Sequence, residues 1–376
     1  MKSNNCFTVP KVILWSMIHQ LIIRKSNSFC SLTAINTYFP NLTSKQKSTT
    51  SHLNLRGNIQ VFAKLDNDCD VDDTSKWNEE RNLEKVLQIA KEASHRAGEI
   101  MKVTSGNIAI SKTKMNSADL VTESDIECQR IIQRTIEEAF PNDFFLGEED
   151  VPPGSVASTK ALESALHANG DVNDGLGHNR LLWVVDPIDG TTNFQAGLPM
   201  FCTSIGVVSL AKEIPEVVVG VIYNPILNEM VSAIKGKGCY INDKIITNSE
   251  KDDEKMTLDQ SLVNIGFPVS SESTLNASSK TVASLATKVR GLRMIASASQ
   301  VMSWVAQAKL DAYISWDLNA WDVAAGMIIV QEAGGCVRNF DGSTANILSR
   351  DMIVTSNKYL NEELREVLSS YDCLTY

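Results

Sequence analysis

A chain of 376 residues with 43% hydrophobic residues is long enough to bury a sizeable core, in one large domain or two closely packed ones. Its formal net charge of -10 argues against nucleic acid as a partner, because phosphate backbones select clustered Lys and Arg. The eight cysteines include no Cys-x-x-Cys pair, which argues against a disulfide framework or a structural zinc site and predicts reduced thiols.

The first 65 residues differ in composition from the rest of the chain. They contain eight Lys or Arg, no Asp or Glu, and many Ser, Thr and Asn. Such a segment is typical of an organelle-import leader, so we interpret residues 1–65 as a targeting segment and the polar residues 66–81 as a linker. The apolar run Val12–Ile23 is too short to span a membrane comfortably, so no membrane partner is expected, although it would suit a secretory signal. A disordered extension is the remaining interpretation.

Apolar residues spaced three and four apart predict amphipathic helices in the rest of the chain. The first helix begins near Asn82 and carries its apolar face from Leu83 to Met101. Further helices are predicted at about 125–140, 299–309 and 321–333. Pro141-Asn142 and Gly334-Gly335 are the expected stop signals of the first and the last of these three.

Short apolar runs between turn residues predict strands. They lie at 144–146, 181–185, 203–208, 217–223 and 229–234. Residues 150–178 are polar and rich in Gly, Ser and Asn, so we expect a long loop there. Because strands and helices alternate irregularly, the sequence predicts a mixed α and β fold of layered sheets and helices.

The segment Trp183–Phe194 carries the strongest chemical signal. An apolar strand delivers Asp186 to its end, and Pro187 is expected to end the strand because proline has no N–H to donate. Asp189 follows three residues later, close enough for both carboxylates to face one point. The competing interpretation is a solvated, Asp-rich turn that only caps a helix.

The residues after Asp189 favour anion binding. Gly190 permits a tight turn, and Thr191 or Thr192 can cap a following helix whose free N–H groups would bind an anion. Hard oxygen ligands beside such a helix end are typical of Mg²⁺ holding a phosphate.

Three further acids lie where they could join this site. Glu148 follows the predicted strand 144–146, while Asp125 and Asp322 lie at the beginning of predicted helices. Each has a simpler interpretation: Glu148 as a surface loop acid, and Asp125 and Asp322 as helix N-caps.

Taken together, these motifs resemble the inositol monophosphatase family. The pieces that carry the resemblance lie in the family's order and spacing at 119–125, 147–149, 183–194 and 321–322, and the whole likeness covers about 82–376. It implies a layered αβαβα sandwich, usually a homodimer, that uses Mg²⁺ and is inhibited by Li⁺. The chain looks most similar to plant-type members with organelle leaders, which implies a plastid location, with the mitochondrion or the secretory route as alternatives.

The resemblance also implies the metal ligands. One ion would bind Glu148, Asp186 and the carbonyl oxygen of Ile188. A second would bind Asp186, Asp189 and Asp322. A third Mg²⁺ would be held weakly through water near Glu148. Two such ions, about 3.5–4 Å apart, would clamp the attacking and leaving oxygens of a displacement at phosphorus.

Catalytic and substrate-binding roles follow from the same likeness. Thr191, held by Asp125, would orient the attacking water together with Glu148. The small phosphorylated substrate would contact Asp189, Gly190, Thr191, Ala298, Ser315 and Asp322.

One departure from the family pattern concerns the substrate. Ser315 stands where inositol-type members usually carry a Glu that contacts sugar hydroxyls, and Asp317 could take over that role. The leading hypothesis is therefore a phosphatase for inositol monophosphate or a related sugar or alcohol phosphate. The alternatives are a histidinol-phosphate, sugar-bisphosphate or phosphoadenosine phosphatase, and a catalytically silent binding protein.

Removal of residues 1–71 should leave folding and hydrolysis intact, because this segment has no clear amphipathic core pattern. Solubility, the melting temperature and phosphate release of the shortened and full-length chains would be compared. Insolubility or lost activity after the removal would mean that the segment packs on the domain.

Overall fold

The computed structural model describes residues 82–106, 110–113, 120–167, 180–211, 214–246, 256–268 and 271–374. The predicted leader and linker lie outside the described residues. Within the described part of the chain, no helix combines the length and apolar character that a membrane crossing requires. The described cysteines are free thiols, as predicted: Cys128, Cys202, Cys239, Cys336 and Cys373.

The helices at 155–167, 272–285 and 358–370 were not predicted, and the other five lie close to their predicted positions. The described residues form eight α-helices in all. They are α1 (Leu83–Thr104), α2 (Glu123–Ala139), α3 (Ser155–His167), α4 (Thr191–Ala196), α5 (Glu272–Leu285), α6 (Ala298–Ala306), α7 (Ala320–Glu332) and α8 (Lys358–Ser370). The first helix begins where the sequence predicts, because the Asn82 side chain accepts a hydrogen bond from the Lys85 N–H at 3.1 Å and caps it.

The strands form two mixed sheets and one small hairpin-like pair. They are β1 (Ile110–Thr113), β2 (Leu120–Thr122), β3 (Phe144–Gly147), β4 (Leu181–Asp189), β5 (Cys202–Ser209), β6 (Glu216–Asn224), β7 (Glu229–Ile234), β8 (Cys239–Ile241), β9 (Lys244–Ile246), β10 (Leu262–Ile265), β11 (Gly291–Arg293), β12 (Ala312–Ser315), β13 (Cys336–Asn339) and β14 (Met352–Thr355). The seven-stranded sheet has the order β3-β4-β5-β6-β7-β8-β9, with only β3 and β4 parallel. The five-stranded sheet has the order β11-β10-β12-β14-β13.

The fold has five layers, held together by three apolar cores, of which the central one surrounds the middle layer of helices. Helices α1 and α2 pack on one face of the seven-stranded sheet. Helices α6 and α7 lie between the two sheets, and α5 and α8 cover the outer face of the five-stranded sheet. The predicted αβαβα sandwich is therefore confirmed.

Helix α3 corrects the prediction of a long loop at 150–178. Its inward face carries the buried Leu162, and Ala161, Ala165 and Leu166 pack against the central core. This stripe is only two turns long and stands in a polar, Gly-rich segment, so the composition of the whole segment concealed it. Residues 168–178 of the predicted loop lie outside the described residues.

Paired glycines let α7 approach the large sheet closely. Gly206 of β5 and Gly220 of β6 are direct neighbours across the ladder. A Cβ atom at Gly206 would lie 2.9 Å from the Ala325 nitrogen, and one at Gly220 would lie 2.6 Å from the Ala325 oxygen. Because both obstacles are helix backbone, any side chain here would push α7 off the sheet.

The substitution Gly206→Ala should therefore lower the free energy of unfolding by about 1–3 kcal/mol. The matched control is Gly291→Ala on the edge strand β11, where a Cβ would meet only the ends of two side chains, Leu262 at 3.3 Å and Arg293 at 3.4 Å. Urea unfolding of both variants measures the difference. Equal stability of the two would contradict the close-packing argument.

Candidate active site

A one-residue bulge in β4 brings the two aspartates of the central motif together. Asp186 pairs with Ser204 and Asp189 pairs with Cys202, so three steps along β4 match two along β5. The strand thus continues past Pro187 to Asp189, and the prediction that Pro187 ends it is wrong. The extra residue accommodates the missing proline N–H, as bulges commonly do.

The bulge also determines which way the side chains point. In a regular strand, residues three apart face opposite sides. Here Leu182 and Val184 face the α6–α7 layer, whereas Ile188 packs in the core beside α1 and α2. The bulge therefore reverses the alternation after Asp186 and returns Asp189 to the same side as Asp186.

Asp189 is held by the first turn of α6. Its Oδ2 accepts hydrogen bonds from the Ser297 hydroxyl at 2.9 Å and the Ser299 N–H at 2.5 Å, and its Oδ1 accepts one from the Ala298 N–H at 3.2 Å. Burial raises the pKa of Asp189 to about 6, and these hydrogen bonds oppose the rise. The predicted contact of Ala298 is thus with Asp189 itself.

Asp322 lies in the first turn of α7 beside other acids, but the N-cap of this helix is Asn319, so the interpretation of Asp322 as an N-cap is wrong. Its Oδ2 accepts a hydrogen bond from the Asn319 N–H at 2.7 Å, in a capping box with Asn319. Burial raises its pKa well above the ordinary value, and the charges of Glu148 and Asp189 add to the rise. A residue that only caps a helix would not be buried among other acids.

Glu148 and Asp186 lie close together at the edge of the large sheet where the parallel strands β3 and β4 pair. Gly147 ends β3 opposite Val185 of β4, which leaves Glu148 beside Asp186, and the two side chains are hydrogen-bonded. Burial raises the pKa of Asp186 well above its ordinary value, and Glu148, Asp189 and Asp322 raise it further. The structure therefore groups Glu148, Asp186, Asp189 and Asp322, as the sequence predicted.

Thr191 and Asp125 form a second polar group next to these acids. The Thr191 hydroxyl lies 3.2 Å from Asp125 Oδ1 and 3.1 Å from the Ile188 carbonyl oxygen. Burial raises the pKa of Asp125 to about 6, against the hydrogen bonds from Thr122 that also make it part of the α2 capping box. Helix α4 is capped by Gly190 in the left-handed region, with φ 93°, so the expectation of a Thr191 or Thr192 cap is wrong.

The residues predicted to select the substrate lie on and after β12. Ser315 is only 3% exposed, and Tyr313 is hydrogen-bonded to it. The Asp317 carboxylate accepts two hydrogen bonds from Arg350, at 2.7 and 3.0 Å. Asp317 is therefore engaged with Arg350 and does not present the carboxylate that an inositol-type Glu would offer.

The donor set of this site suits a divalent cation. Four carboxylates with two further oxygens nearby, the Ile188 carbonyl and the Thr191 hydroxyl, are hard ligands of the kind that Mg²⁺ prefers. Among the described residues, no three His, Cys, Asp or Glu side chains are already arranged as a metal-binding group. The acids therefore lie near one another without forming a complete set of metal ligands. The pKa values of Asp186, Asp189 and Asp322 are raised, and a bound cation would neutralise the negative charge of these side chains.

Sequence reasoning missed Ser297, Ser299 and Arg350. The two serines flank Ala298 at the beginning of α6, and Ser is a frequent residue at helix N-termini, so this signal was available. Arg350 is 33 residues from its partner Asp317, and no local pattern links the two.

Comparisons with known proteins agree with this geometry. The model of the inositol monophosphatase family matches residues 82–372. Inositol monophosphatase 1 of Solanum lycopersicum is 35% identical over 293 residues, covering 76% of this chain and 96% of that protein. The inositol monophosphatase of Mesembryanthemum crystallinum is 33% identical, covering 76% and 96%.

Solved structures show the same likeness. The structure of an IMPase from Thermotoga maritima superposes with a TM-score of 0.62 at 29% identity and covers 77% of this chain and 98% of that one. The inositol monophosphatase from Anabaena (Nostoc) gives a TM-score of 0.60 at 26% identity, covering 77% and 97%. This chain therefore belongs to the inositol monophosphatase family, whose members are phosphatases that hydrolyse phosphate monoesters.

Proposed function

We propose that this protein is a Mg²⁺-dependent phosphatase that hydrolyses inositol monophosphate or a related sugar or alcohol phosphate. The observation that carries the proposal is the grouping of Glu148, Asp186, Asp189 and Asp322, which come from two strand ends and one helix end. Asp186 and Asp189 are buried, and Glu148 and Asp322 are half-buried. Burying several like charges is costly unless a cation accompanies them, which supports a metal centre.

The metal ligands follow from the positions of the acids. Glu148, Asp186 and the Ile188 carbonyl would hold one ion, and Asp186, Asp189 and Asp322 would hold a second. When bound, Mg²⁺ supplies an acidified water and neutralises charge on the phosphoryl oxygens. A solved structure of this fold, at 18% identity, is described as an IMPase/NADP phosphatase complexed with Mg²⁺ and phosphate.

Thr191 and Asp125 would position the attacking water. Asp125 accepts a hydrogen bond from the Thr191 hydroxyl, which leaves the hydroxyl oxygen able to accept a hydrogen bond from water. Glu148, which belongs to the neighbouring acidic group, would accept the proton of this water as general base. The N–H groups of Gly190 and Thr191 would donate to the phosphoryl oxygens.

The substrate pocket favours weak selection among small phosphates. Ser315 is neutral and buried, and Asp317 is paired with Arg350, so neither offers a free carboxylate to sugar hydroxyls. A relative from Thermotoga maritima, 31% identical over 73% of this chain and 92% of its own length, is named fructose-1,6-bisphosphatase/inositol-1-monophosphatase. This name supports a substrate range that includes sugar phosphates besides inositol phosphates.

The organelle leader at 1–65, a plastid location, homodimeric assembly and lithium inhibition are part of this proposal. They are supported by the resemblance of the sequence to plant-type members of the family. Import assays with the leader fused to a reporter, and sedimentation of the purified protein, would test location and assembly.

The substitution Asp186→Asn should lower kcat by about a hundredfold or more, because one carboxylate oxygen is lost from both proposed metal sites. The metal-free variant should melt at a higher temperature than the wild type, since one buried like charge is gone. Asp243→Asn is the control, because the Asp243 side chain is 84% exposed and pairs only with Lys91 in the described residues. Near-normal turnover in folded Asp186→Asn would refute the mechanism.

Stabilisation by Mg²⁺ should increase with pH. Burial raises the pKa of Asp189 to about 6, and burial together with the charges of neighbouring acids raises the pKa values of Asp186 and Asp322 well above their ordinary value. The metal-free folded protein therefore holds protons that the unfolded chain releases at lower pH. The stability of the metal-free form is then greatest at low pH and is lost as pH rises through these folded-state values. Because Mg²⁺ competes with these protons, its effect on the melting temperature should be larger at about pH 8 than at about pH 5.

Phosphate release by the same protein, measured with and without Mg²⁺, tests the metal requirement of the activity. EDTA should abolish hydrolysis, Mg²⁺ should restore it, and Li⁺ or excess Mg²⁺ should inhibit it. Full activity in EDTA, or an equal Mg²⁺ effect on the melting temperature at both pH values, would contradict the metal assignment.

A further inference from the structure

Helix α2 presents two polar side chains to the acidic site, one turn apart. Asp125 contacts Thr191 and has a role in the proposed mechanism. Gln129 follows four residues later, is 5% exposed, and takes no part in that mechanism. Residues four apart lie on the same face of a helix, so Gln129 also faces the end of β3.

Gln129 contacts the chain on both sides of Glu148. Its Oε1 accepts a hydrogen bond from the Glu149 N–H at 2.9 Å. Its side-chain amide also interacts with the Asp150 carboxylate and opposes the rise that burial causes in the pKa of Asp150. On the other side, the Gln129 amide occupies the space that a Cβ at Gly147 would need. The glycine that precedes Glu148 therefore leaves room for this amide.

These contacts restrict the backbone on both sides of Glu148. Residues 147, 149 and 150 are each held against one amide group, which is itself fixed on a buried face of α2. A neutral amide suits this place because it provides both the acceptor for Glu149 and the donor for Asp150. A group of this kind orients a ligand without adding charge to an already acidic site.

We propose that Gln129 is a positioning residue that fixes Glu148 in the orientation needed for divalent-metal binding. The inference rests on the proposed function, since it takes Glu148 as a metal ligand. It assigns Gln129 a role that neither its position in an amphipathic helix nor any sequence motif indicates.

Paired substitutions on one helix test this proposal. Gln129→Met keeps the length and burial of the side chain but removes the acceptor and the donor. Gln133→Met is the matched control, because Gln133 lies one turn further along α2 and bonds only the exposed Glu137 in the described residues, at 2.8 Å. Gln129→Met should raise the Mg²⁺ concentration for half-maximal activation about tenfold, and the same shift should occur in the Mg²⁺-induced rise of the melting temperature.

Exchanging the amide and the carboxylate between positions 129 and 150 tests whether Mg²⁺ binding can be restored. Gln129→Glu keeps the acceptor for the Glu149 N–H but loses the donor and places a carboxylate against Asp150. Adding Asp150→Asn restores one amide–carboxylate pair with the two partners exchanged. The double variant should therefore need less Mg²⁺ than Gln129→Glu alone, whereas a purely structural loss at position 129 would not be repaired. This comparison also serves if Gln129→Met does not fold.

The outcomes separate the two proposals. A wild-type protein that Mg²⁺ neither activates nor stabilises would overturn the proposed function and this inference together. A wild type that responds normally, with Gln129→Met responding like Gln133→Met or with no rescue by Asp150→Asn, would overturn the inference alone. A tenfold shift confined to position 129, together with rescue by the double variant, would support it.

Discussion

The one-residue bulge in β4 is the constraint on which the rest of the site depends. A regular strand would direct Asp186 toward the α6–α7 layer and Asp189 toward α1 and α2, because side chains alternate. The bulge adds one residue to β4 between Asp186 and Asp189, relative to their β5 partners Ser204 and Cys202, and so places both carboxylates on one side. The Asp-Pro-x-Asp spacing therefore brings the two carboxylates together only because of this bulge. The bulge also accommodates the proline, which has no N–H to donate to the neighbouring strand.

Two helix N-termini complete the arrangement from the opposite side. The first turn of α6 donates two N–H groups to Asp189, and the first turn of α7 contains Asp322. Helix N-termini favour negative charge, so the fold lowers the cost of keeping acids in its interior. The close approach of α7 to Gly206 and Gly220 determines how near Asp322 lies to the sheet. The same helix therefore determines both the packing of the central layer and the position of Asp322.

The sequence predicted the fold class, five strands of the large sheet and the helices on either side of it, because their apolar residues follow the helix or strand period over several turns or residues. The sequence did not predict the five-stranded sheet or the helices α5 and α8 that cover it. It failed at α3, where two apolar turns stand in a polar segment, and at Pro187, where a bulge replaced the expected strand end. The four acids could be grouped from their places at strand and helix ends. Gln129 and Arg350 could not be assigned, since their partners lie 20 and 33 residues away and the contacts depend on how α2 and β12 are packed.

Anomalous diffraction from crystals soaked in Mn²⁺, a stand-in for Mg²⁺, would test the central claim most directly. The account predicts anomalous peaks enclosed by Glu148, Asp186, Asp189 and Asp322, with Asp186 bound to two ions. A single ion held by Asp189 without Asp186, or no peak among these carboxylates, would contradict the claim that the β4 bulge creates a shared metal centre.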